Sequence, residues 1–408
     1  MDLKRDAMEI LAAALERSQP GEAVRRALSG RDFSGGRLIL VAVGKAAWPM
    51  ARAALEFLPA DRGAVITKYG HAQGSLEPLG IFEAGHPVPD ENGYRATQRV
   101  LEMVQNLTAR DHVLLLLSGG GSALFEKPLV SPDMLAGLTG ALLRSGADIR
   151  AINAVRKRLS QVKGGKFAAI CAPAHVTTIA LSDVLGDAPD AIASGPAVPD
   201  LTTCQDALEA LKRYGVEAPP DILRLLAIET PKQLPNAECV VAGGVKILCE
   251  AASEACRALG YEPMILTDSL DCEAREAGRF LAAIARRHHS GGRKLAFLAG
   301  GETVVHVTGT GLGGRNQEIA LAAAQGLQGL DNAAVFSFGS DGTDGPTDAA
   351  GGYVDGGTMA ALAAAGVSYE AALGNNDAYR ALSACGGLIV TGPTGTNVND
   401  LSALLIGR

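Results

Sequence analysis

Two glycine-rich stretches toward the end of the sequence hold charged residues that could handle a phosphate group and a metal ion. The first contains Glu302 and Arg315, and the second contains Asp341, Asp344 and Asp348. A turn needs Gly, Asn or Asp for backbone reasons, and it does not need an arginine and several acids together. Backbone N–H groups and an arginine can bind phosphate oxygens, while carboxylates can hold Mg²⁺. This mixture therefore predicts polyphosphate and metal chemistry.

A glycine–lysine pair follows the apolar run LILVAV and opens a helical stretch. There the ammonium of Lys45 could reach an anion that is already bound at the helix N-terminus. A structural Gly44 beside a solvated lysine is an equal alternative. The pair is not a Walker loop, because the sequence contains no Gly-x-x-x-x-Gly-Lys-Ser/Thr.

A second strand-to-helix turn carries three consecutive glycines between two serines, and we call it the glycine loop. Without Cβ atoms in the way, its backbone N–H groups could converge on a phosphate. A close crossing of strand and helix is the alternative, but the flanking hydroxyls favour phosphate binding. The loop consists of Ser118, Gly119, Gly120, Gly121 and Ser122.

For the other charged residues, the sequence leaves more than one role possible. Asp183 and Asp187 follow a predicted strand, where an aspartate can bind Mg²⁺, accept a hydroxyl proton or cap a turn. Five cations lie between residues 156 and 166, too many for one helix face. We expect several of them to face solvent, Arg158 and Lys166 in particular. His86 is more simply a packing residue of its loop than a catalytic one.

The run from Gly309 to Gly314 matches the dinucleotide fingerprint Gly-x-Gly-x-x-Gly and favours a rival oxidoreductase function. The strand before it, residues 304–307, is predicted to pair with residues 295–299 as an antiparallel hairpin. The fingerprint needs a strand in a parallel βαβ unit, and so the match is weak evidence.

Composition limits the function classes. The 408 residues are 47% hydrophobic with 50 glycines, which predicts an α/β protein of two domains. A net charge of -7 and 4% aromatic residues argue against a nucleic-acid partner. Seven scattered cysteines indicate a reducing compartment. The sequence shows neither a signal peptide nor an apolar run of membrane-spanning length, so we expect a cytoplasmic protein.

Short apolar runs alternate with alanine-rich stretches, which predicts a mainly parallel sheet with helices on both faces. Its ligands should lie at the carboxyl ends of the strands. A proline-rich stretch near 220–237 predicts a division into residues 1–235 and 236–408, the second with a mixed sheet. We predict strands at 38–43, 64–67, 113–117, 176–181, 239–242, 295–299, 304–307, 334–338 and 388–390, and helices at 46–57, 135–144, 156–170 and 245–259.

Nine motifs in order resemble the glycerate 2-kinase family, the class II glycerate kinases, whose carboxy-terminal module is called MOFRL. The resemblance implies phosphorylation of D-glycerate to 2-phosphoglycerate with ATP and Mg²⁺. It also implies a Rossmann-like first domain, a mixed-sheet second domain and an active site between them, toward which the last segment returns. The motifs are VGKAA, GHPVPDENG, LSGGGSALFEKP, INAVRKRLSQVKGGK, LSDVLGDAPDAIASGP, GGET, GGRNQE, DGTDGPTDAAGG and TGPTGTNVND.

The resemblance also implies site residues. The family's active-site lysine and arginine fall on Lys45 and Arg315. The implied partners are a small hydroxy acid and a nucleotide, without nucleic acid or membrane, and a homodimer is compatible with them. The named alternative is an NAD(P)H-dependent hydroxypyruvate reductase. Catalysis then involves Lys45, Arg315, Asp341, Asp183 and Asp187; nucleotide binding involves the glycine loop, Thr343 and Asn397; Mg²⁺ binding involves Glu302 and Asp341.

Overall fold

The computed structural model describes residues 2–408, which form two compact units. One unit comprises residues 20–242, and the other combines residues 2–19 with residues 243–408. The sequence suggested a division after residue 235, which would place the amino-terminal segment in the first domain. The structure differs because helix α1 (Leu3–Arg17) shares a hydrophobic core with residues 245–256. The strand at residues 237–243 also joins the first sheet.

The first unit is built on one six-stranded sheet in the order β3-β2-β1-β4-β5-β6. Strands β1 to β5 pair in parallel, as the alternating sequence pattern predicted. Apolar runs such as LILVAV are buried over their full length, because helices cover both faces. The strands are β1 (Leu38–Val43), β2 (Arg62–Lys68), β3 (Leu79–Ala84), β4 (His112–Leu117), β5 (His175–Leu181) and β6 (Ala237–Gly243).

Two of the predicted helices, at 46–57 and 135–144, are confirmed as α3 and α6, and one is wrong. The predicted helix at 156–170 is wrong, because Gly164 and Gly165 take left-handed φ values of 59° and 82° and separate two helices. The helices are α2 (Pro20–Leu28), α3 (Ala47–Leu55), α4 (Glu91–Met103), α5 (Gly121–Leu124), α6 (Pro132–Arg144), α7 (Ile149–Arg158), α8 (Lys166–Cys171), α9 (Cys204–Arg213) and α10 (Pro220–Leu226), with a 3₁₀ turn at Ile192–Ser194.

The second unit contains a mixed six-stranded sheet in the order β11-β10-β9-β12-β8-β7, which confirms the predicted mixed sheet. Strands β7 and β8 are parallel, and β12 lies antiparallel between β8 and β9. Its strands are β7 (Glu262–Leu270), β8 (Leu295–Gly301), β9 (Ala333–Gly339), β10 (Gly351–Asp355), β11 (Leu388–Ile389) and β12 (Asp400–Ile406); its helices are α11 (Val245–Ala258), α12 (Ala274–His288), α13 (Arg315–Leu327), α14 (Thr358–Ala364), α15 (Tyr369–Gly374) and α16 (Ala378–Ala384).

The predicted hairpin of residues 295–299 with 304–307 is wrong. Val304 makes a single parallel bridge with Glu273, and the side chains of Val304 and Val307 are exposed. The valines therefore have neither a strand partner nor a core to cover them. Within residues 2–408, no helix has both the length and the apolar character needed to cross a membrane.

Three of the five cations at 156–166 are buried, and Arg156 and Lys166 are partly buried, contrary to the expectation that several of them face solvent. Lys157, Arg158 and Lys163 are almost completely inaccessible. Arg158 contacts Asp200 at 3.6 Å and Glu229 at 3.0 Å, and Lys157 contacts Asp200 at 3.0 Å. Lys157 and Arg158 of α7 point inward because the buried carboxylate of Asp200 compensates their charges.

Asp200 is the common partner of this buried network, and its loss should destabilise the fold. The Asp200→Asn variant is expected to lose about 3 kcal/mol of unfolding free energy, because two buried cations lose their shared carboxylate. The matched control is Asp221→Asn, which removes the exposed partner of Arg224. Urea denaturation should show a large midpoint shift for Asp200→Asn only. Equal midpoints for the two variants would contradict the stabilising role of Asp200.

Candidate functional site

The carboxyl end of the first sheet is where this unit can bind a ligand. The strand order reverses between β1 and β4, since the chain builds β2 and β3 on one side of β1 and then returns to its other side. In open parallel sheets, ligands bind outside the carboxyl ends of the strands at such a point. Lys45 follows β1 there, and the glycine loop follows β4.

The loops after β1 and β4 are locked together by hydrogen bonds. The N–H of Lys45 donates to the carbonyl of Gly119 at 2.9 Å, and the N–H of Ala46 donates to Oγ of Ser118 at 3.0 Å. Gly44 has a φ of 123°, and a Cβ there would collide with Ser118. The Ser118 hydroxyl therefore holds the turn that presents Lys45.

Three ionisable side chains surround the middle of the glycine loop. A Cβ added to Gly120 would lie 3.0 Å from Nε2 of His86 and 3.5 Å from Cε of Lys45. A Cβ on Gly119 would collide with the Asp183 carboxylate. Burial, together with the charge of Lys45, lowers the pKa of His86, so its imidazole is neutral at pH 7. The strands β1, β3, β4 and β5 thus deliver a lysine, a histidine, the glycine loop and an aspartate to one place.

His86 was expected to be a packing residue because β3 was not predicted: its mixed polar sequence LGIFEA lacks a long apolar run. His86 follows the carboxyl end of that strand by two residues. Its position after a strand in a parallel sheet is the signal that could have placed it among the site residues.

The remaining predicted residues of this unit lie in turns. Oγ of Ser122 is 3.0 Å from Oγ of Ser194. Asp187 has a left-handed φ of 50°, and its N–H donates to the carbonyl of Val184 at 3.1 Å. The structure thus brings Asp183 to the glycine loop, while Asp187 has a defined position in its own turn.

A methyl group at Gly120 should impair the site more than the fold. The Gly120→Ala variant combines a φ of 86° with a close approach to His86, so we expect turnover to fall by about tenfold or more. The control is Gly30→Ala, at a φ of 76° with no atom within 4 Å of the added Cβ. Both carry similar backbone strain, so their melting temperatures should fall alike. Equal turnover in the two variants would contradict a functional role for the loop.

In the second unit, the polar residues gather where three strands meet. Asp400, the first residue of β12, pairs with Gly301 at the end of β8 and with Gly339 at the end of β9. Glu302 follows β8 directly, and Asp341 follows β9 after one residue. The antiparallel insertion of β12 therefore places its first carboxylate between two polar loops.

Arg315 begins α13 and is held by two of these carboxylates. Its Nε lies 2.5 Å from Oδ2 of Asp400, its Nη2 3.1 Å from Oδ1 of Asp400, and its Nη1 2.6 Å from Oε1 of Glu302. Asn399 donates to Oε2 of Glu302 at 3.1 Å. Arg315 thus has a fixed orientation, since the bidentate contact leaves its planar group little freedom.

The charges in this cluster shift one another's pKa values. Burial opposes the charge of Arg315, but the hydrogen bonds that Asp400 accepts from it and the negative charges of Asp400 and Glu302 outweigh this effect and raise the pKa of Arg315. Burial raises the pKa of Asp400 to about 6, although the hydrogen bonds and the charge of Arg315 lower it. The guanidinium accordingly stays charged at any pH at which the protein is folded.

The loops after β9 and before β12 lie side by side. Asp341 accepts hydrogen bonds from the N–H of Thr343 at 2.9 Å and from its hydroxyl at 3.0 Å. The N–H of Thr394 donates to the carbonyl of Asp341 at 3.3 Å. The side chain of Asn397, in the same carboxy-terminal loop, is exposed. The structure thus brings the segments of Asp341, Thr343 and Asn397 together within this unit.

Two acids that the sequence associated with metal chemistry have structural roles. Asp344 is buried and accepts from the N–H groups of Asn316 at 3.1 Å and Gln317 at 2.8 Å, so it caps α13. Asp348 accepts from the Tyr379 hydroxyl at 2.8 Å. A protein carboxylate therefore already satisfies the N-terminus of α13.

The fingerprint run from Gly309 to Gly314 is a loop that the protein's own side chains fill. Asn375, Asn376 and Asp377 accept from backbone N–H groups between residues 308 and 312 at 2.8–3.0 Å. Pyrophosphate binding would need those same N–H groups, and the required parallel strand before the loop is missing. The match to the dinucleotide motif is therefore coincidental.

The described residues offer few side chains that could bind a metal ion together. Among residues 2–408, no three side chains of His, Cys, Asp or Glu lie close enough together to hold an ion. Any divalent cation here would need most of its ligands from a bound substrate or water, which is usual for Mg²⁺ in kinases.

Asp400, the main partner of Arg315, was not among the predicted site residues. In its segment the sequence predicted only Asn397, as a nucleotide contact. The available signal was an acidic residue immediately before the apolar run LSALLI, which places a carboxylate at the first position of a buried strand.

Comparisons with known proteins cover the whole chain. The family described as a domain of unknown function (DUF4147) matches residues 6–227, and the MOFRL family matches residues 295–400. The chain is 53% identical to the D-glycerate 2-kinase of Thermotoga maritima, over 99% of this chain and 98% of the relative. It is 39% identical to the glycerate 2-kinase of Pyrococcus horikoshii, over 100% of this chain and 98% of the relative.

The comparisons also include relatives with a different name and solved structures with the same fold. An Agrobacterium vitis protein with the provisional name hydroxypyruvate reductase is 42% identical, over 98% of this chain and 93% of its own. The crystal structure of the Thermotoga maritima glycerate kinase matches with a TM-score of 0.95 at 52% identity, covering 99% of each chain. The similarity therefore extends over both units and confirms the resemblance found in the sequence.

Proposed function

Since the chain belongs to the glycerate 2-kinase family with a carboxy-terminal MOFRL module, we infer that it transfers the γ-phosphoryl group of ATP to the 2-hydroxyl of D-glycerate. The observation that carries this inference is the glycine loop at the reversal of strand order, with the Lys45 side chain against Gly120. Fixed backbone donors beside a cation are what phosphoryl transfer requires, since catalysis of this reaction consists mainly of positioning and charge stabilisation.

The first unit would supply the phosphate contacts. The N–H groups of the glycine loop would bind phosphate oxygens, and Lys45 would neutralise the charge that develops during transfer. The hydrogen bonds from Lys45 to Gly119 and from Ala46 to Ser118 hold the two loops in fixed relative positions. Such preorganisation lowers the reorganisation that the reaction would otherwise require.

Arg315 would stabilise an anionic group of a substrate in the second unit. Asp400 and Glu302 hold its guanidinium through Nε, Nη1 and Nη2. Each Nη atom carries a second hydrogen, and we propose that these hydrogens bind a phosphate or the glycerate carboxylate. In this proposal, Asp400 and Glu302 orient the arginine.

Asp341 fits the role of a Mg²⁺ ligand better than Glu302. Its carboxylate is half-exposed and accepts hydrogen bonds from Thr343 through Oδ1. Both oxygens of Glu302 already accept hydrogen bonds, from Arg315 and from Asn399. Bound Mg²⁺ supplies charge neutralisation on the nucleotide phosphates and needs only one or two carboxylates. Thr343 and Asn397 would line the same loops as nucleotide contacts.

The hydroxyl of D-glycerate must lose its proton during transfer, and Asp183 is the proposed acceptor. Its carboxylate lies against Gly119, beside the proposed phosphate site. Asp187 is the second candidate, in the turn that its N–H closes with the carbonyl of Val184. A carboxylate as acceptor is usual in kinases.

A direct assay tests the nucleotide and metal requirement. The full chain is incubated with D-glycerate, ATP and Mg²⁺, and ADP release is followed. We expect ADP only when all three are present, and no turnover with EDTA. Oxidation of NAD(P)H by hydroxypyruvate, without ADP release in the first assay, would overturn the proposal in favour of the reductase.

A further inference from the structure

Lys163 is a buried lysine whose ammonium group contacts the end of the glycine loop. Its Nζ lies 2.8 Å from the carbonyl of Ser122, 3.0 Å from the carbonyl of Phe125 and 3.3 Å from Oε2 of Glu126. Two of the three ammonium hydrogens donate to the carbonyls, and the charge of the ammonium pairs with the Glu126 carboxylate. The side chain thus links the loop to the residues that follow it.

The short helix α5, which begins within the glycine loop, cannot fix the loop by itself. Helix α5 has four residues, and a single turn has little stability of its own because nucleation is costly. Lys163 binds one carbonyl within α5, that of Ser122, and the carbonyl of Phe125 immediately after it. Without Lys163, the Ser122 carbonyl would keep only the longer hydrogen bond from Nη2 of Arg156 at 3.3 Å. A buried carbonyl left without a donor costs about 1–3 kcal/mol.

The two residues after Lys163 hold a second turn next to the loop. Gly164 N–H donates to the carbonyl of Ser194 at 3.0 Å, and Gly165 N–H donates to the carbonyl of Gly195 at 2.7 Å. Ser194 has a left-handed φ of 60°, which is unfavourable for a residue other than glycine. Its hydroxyl faces that of Ser122. Residues 163–165 therefore fix the relative position of two serine hydroxyls.

The charge arrangement is not one that stability alone would favour. Burial lowers the pKa of Lys163 to about 8, although the buried carboxylate of Glu126 opposes this shift. A buried ion pair often contributes no more stability than apolar residues of similar volume. A requirement for a donor that joins the Ser122 end of the glycine loop to the Phe125 carbonyl accounts for the lysine.

We propose that Lys163 is a positioning residue of the phosphoryl-transfer site, because its ammonium fixes the Ser122 end of the glycine loop. This proposal rests on the proposed function for its link to nucleotide binding. The positional effect on residues 118–126 is independent of the reaction and can be measured without activity.

The variants must distinguish two effects: loss of the hydrogen bonds that Lys163 donates, and exposure of the buried Glu126 carboxylate as a charge without its partner. Lys163→Met alone leaves Glu126 as an uncompensated buried carboxylate, so the main test is the double variant Lys163→Met/Glu126→Gln. The matched control is Lys166→Met. Lys166 is also a partly buried lysine with its pKa lowered by burial to about 8, and it donates to the carbonyls of Arg158 at 3.1 Å and Ser160 at 2.7 Å.

Amide hydrogen exchange and steady-state kinetics give the two readouts. In the double variant we expect exchange in peptides covering residues 118–126 to rise by about tenfold, because the loop opens more easily. The KM for ATP should rise by about tenfold, while the KM for D-glycerate changes by less than about threefold. Lys166→Met should leave exchange at 118–126 and the KM for ATP at parent values.

Each result decides the proposal. Parent exchange rates and a parent KM for ATP in the double variant would overturn it. So would a defect in Lys163→Met that the added Glu126→Gln change removes, because the buried charge would then be its cause. If Lys163→Met does not fold, the double variant carries the test. If the parent forms no ADP with D-glycerate, the proposed function fails, and the exchange data still decide whether Lys163 fixes the loop.

Discussion

The Arg315→Ala variant should lose about a thousandfold in kcat, because an arginine that stabilises a transferring phosphoryl group contributes effects of this size. Its guanidinium is charged and fixed by Asp400 and Glu302 in the resting protein, so it requires no reorganisation. Single-turnover and steady-state kinetics with D-glycerate and ATP measure the loss. Arg315→Lys should recover little, since an ammonium cannot reproduce the bidentate contact.

Arg275 provides the matched control for Arg315. It lies at the start of α12 in the same unit and pairs with Glu318 at 2.8 Å and Glu273 at 3.1 Å. Arg275→Ala should lower the melting temperature but leave kcat within about threefold of the parent. The assignment of Arg315 is wrong if both variants keep parent kcat values, or if both lose activity only in proportion to unfolding.

Because Asp400 titrates, the unfolding free energy of the Arg315→Ala variant should depend on pH. Its folded-state pKa of about 6 lies above the usual 3.8, so the folded protein binds more protons between these values. The corresponding contribution to the unfolding free energy is present at low pH and declines as pH rises toward 6. Removal of Arg315 raises this pKa further, so kinetic comparisons should be accompanied by melting curves at the assay pH.

The Lys45→Met variant should show the second large effect, a fall in kcat of about a hundredfold with a higher KM for ATP. Methionine keeps the length of the side chain and removes the ammonium that we assign to the phosphoryl group. Because the Lys45 backbone N–H still donates to Gly119, the turn itself should persist. Steady-state kinetics with varied ATP measure both constants.

The control for Lys45 is Lys212→Met, on the exposed surface of α9 in the same unit. It removes one positive charge of the unit without changing any loop at the carboxyl end of the sheet. We expect parent kinetics for this variant. Similar losses in the two variants would indicate a general charge effect and would contradict a specific role for Lys45.

The first unit was largely predictable from local sequence. Apolar runs such as LILVAV and HVLLLL need burial on both faces, which indicates central strands of a parallel sheet. The residues after those runs then had to lie at one edge. This reasoning placed Lys45, the glycine loop and Asp183 correctly at the carboxyl ends of β1, β4 and β5.

The second unit depends on contacts that no local pattern encodes. Asp400 reaches Arg315 across 85 residues, and only the insertion of β12 between β8 and β9 brings them together. The segment that contains Arg158 has the composition of a surface helix. Arg158 is nevertheless buried, because its partner Asp200 comes from a distant loop. The glycine spacing at 309–314 matches a dinucleotide motif. The sequence could not show that the loop's N–H groups already donate to other side chains of the protein.

The position of phosphate on the product is the most direct test of the central claim. After reaction of the full chain with D-glycerate, ATP and Mg²⁺, phosphorus-coupled carbon NMR identifies the phosphorylated carbon. The account predicts 2-phosphoglycerate together with one ADP per molecule of product. Formation of 3-phosphoglycerate, or no phosphorylated glycerate at all, would contradict it.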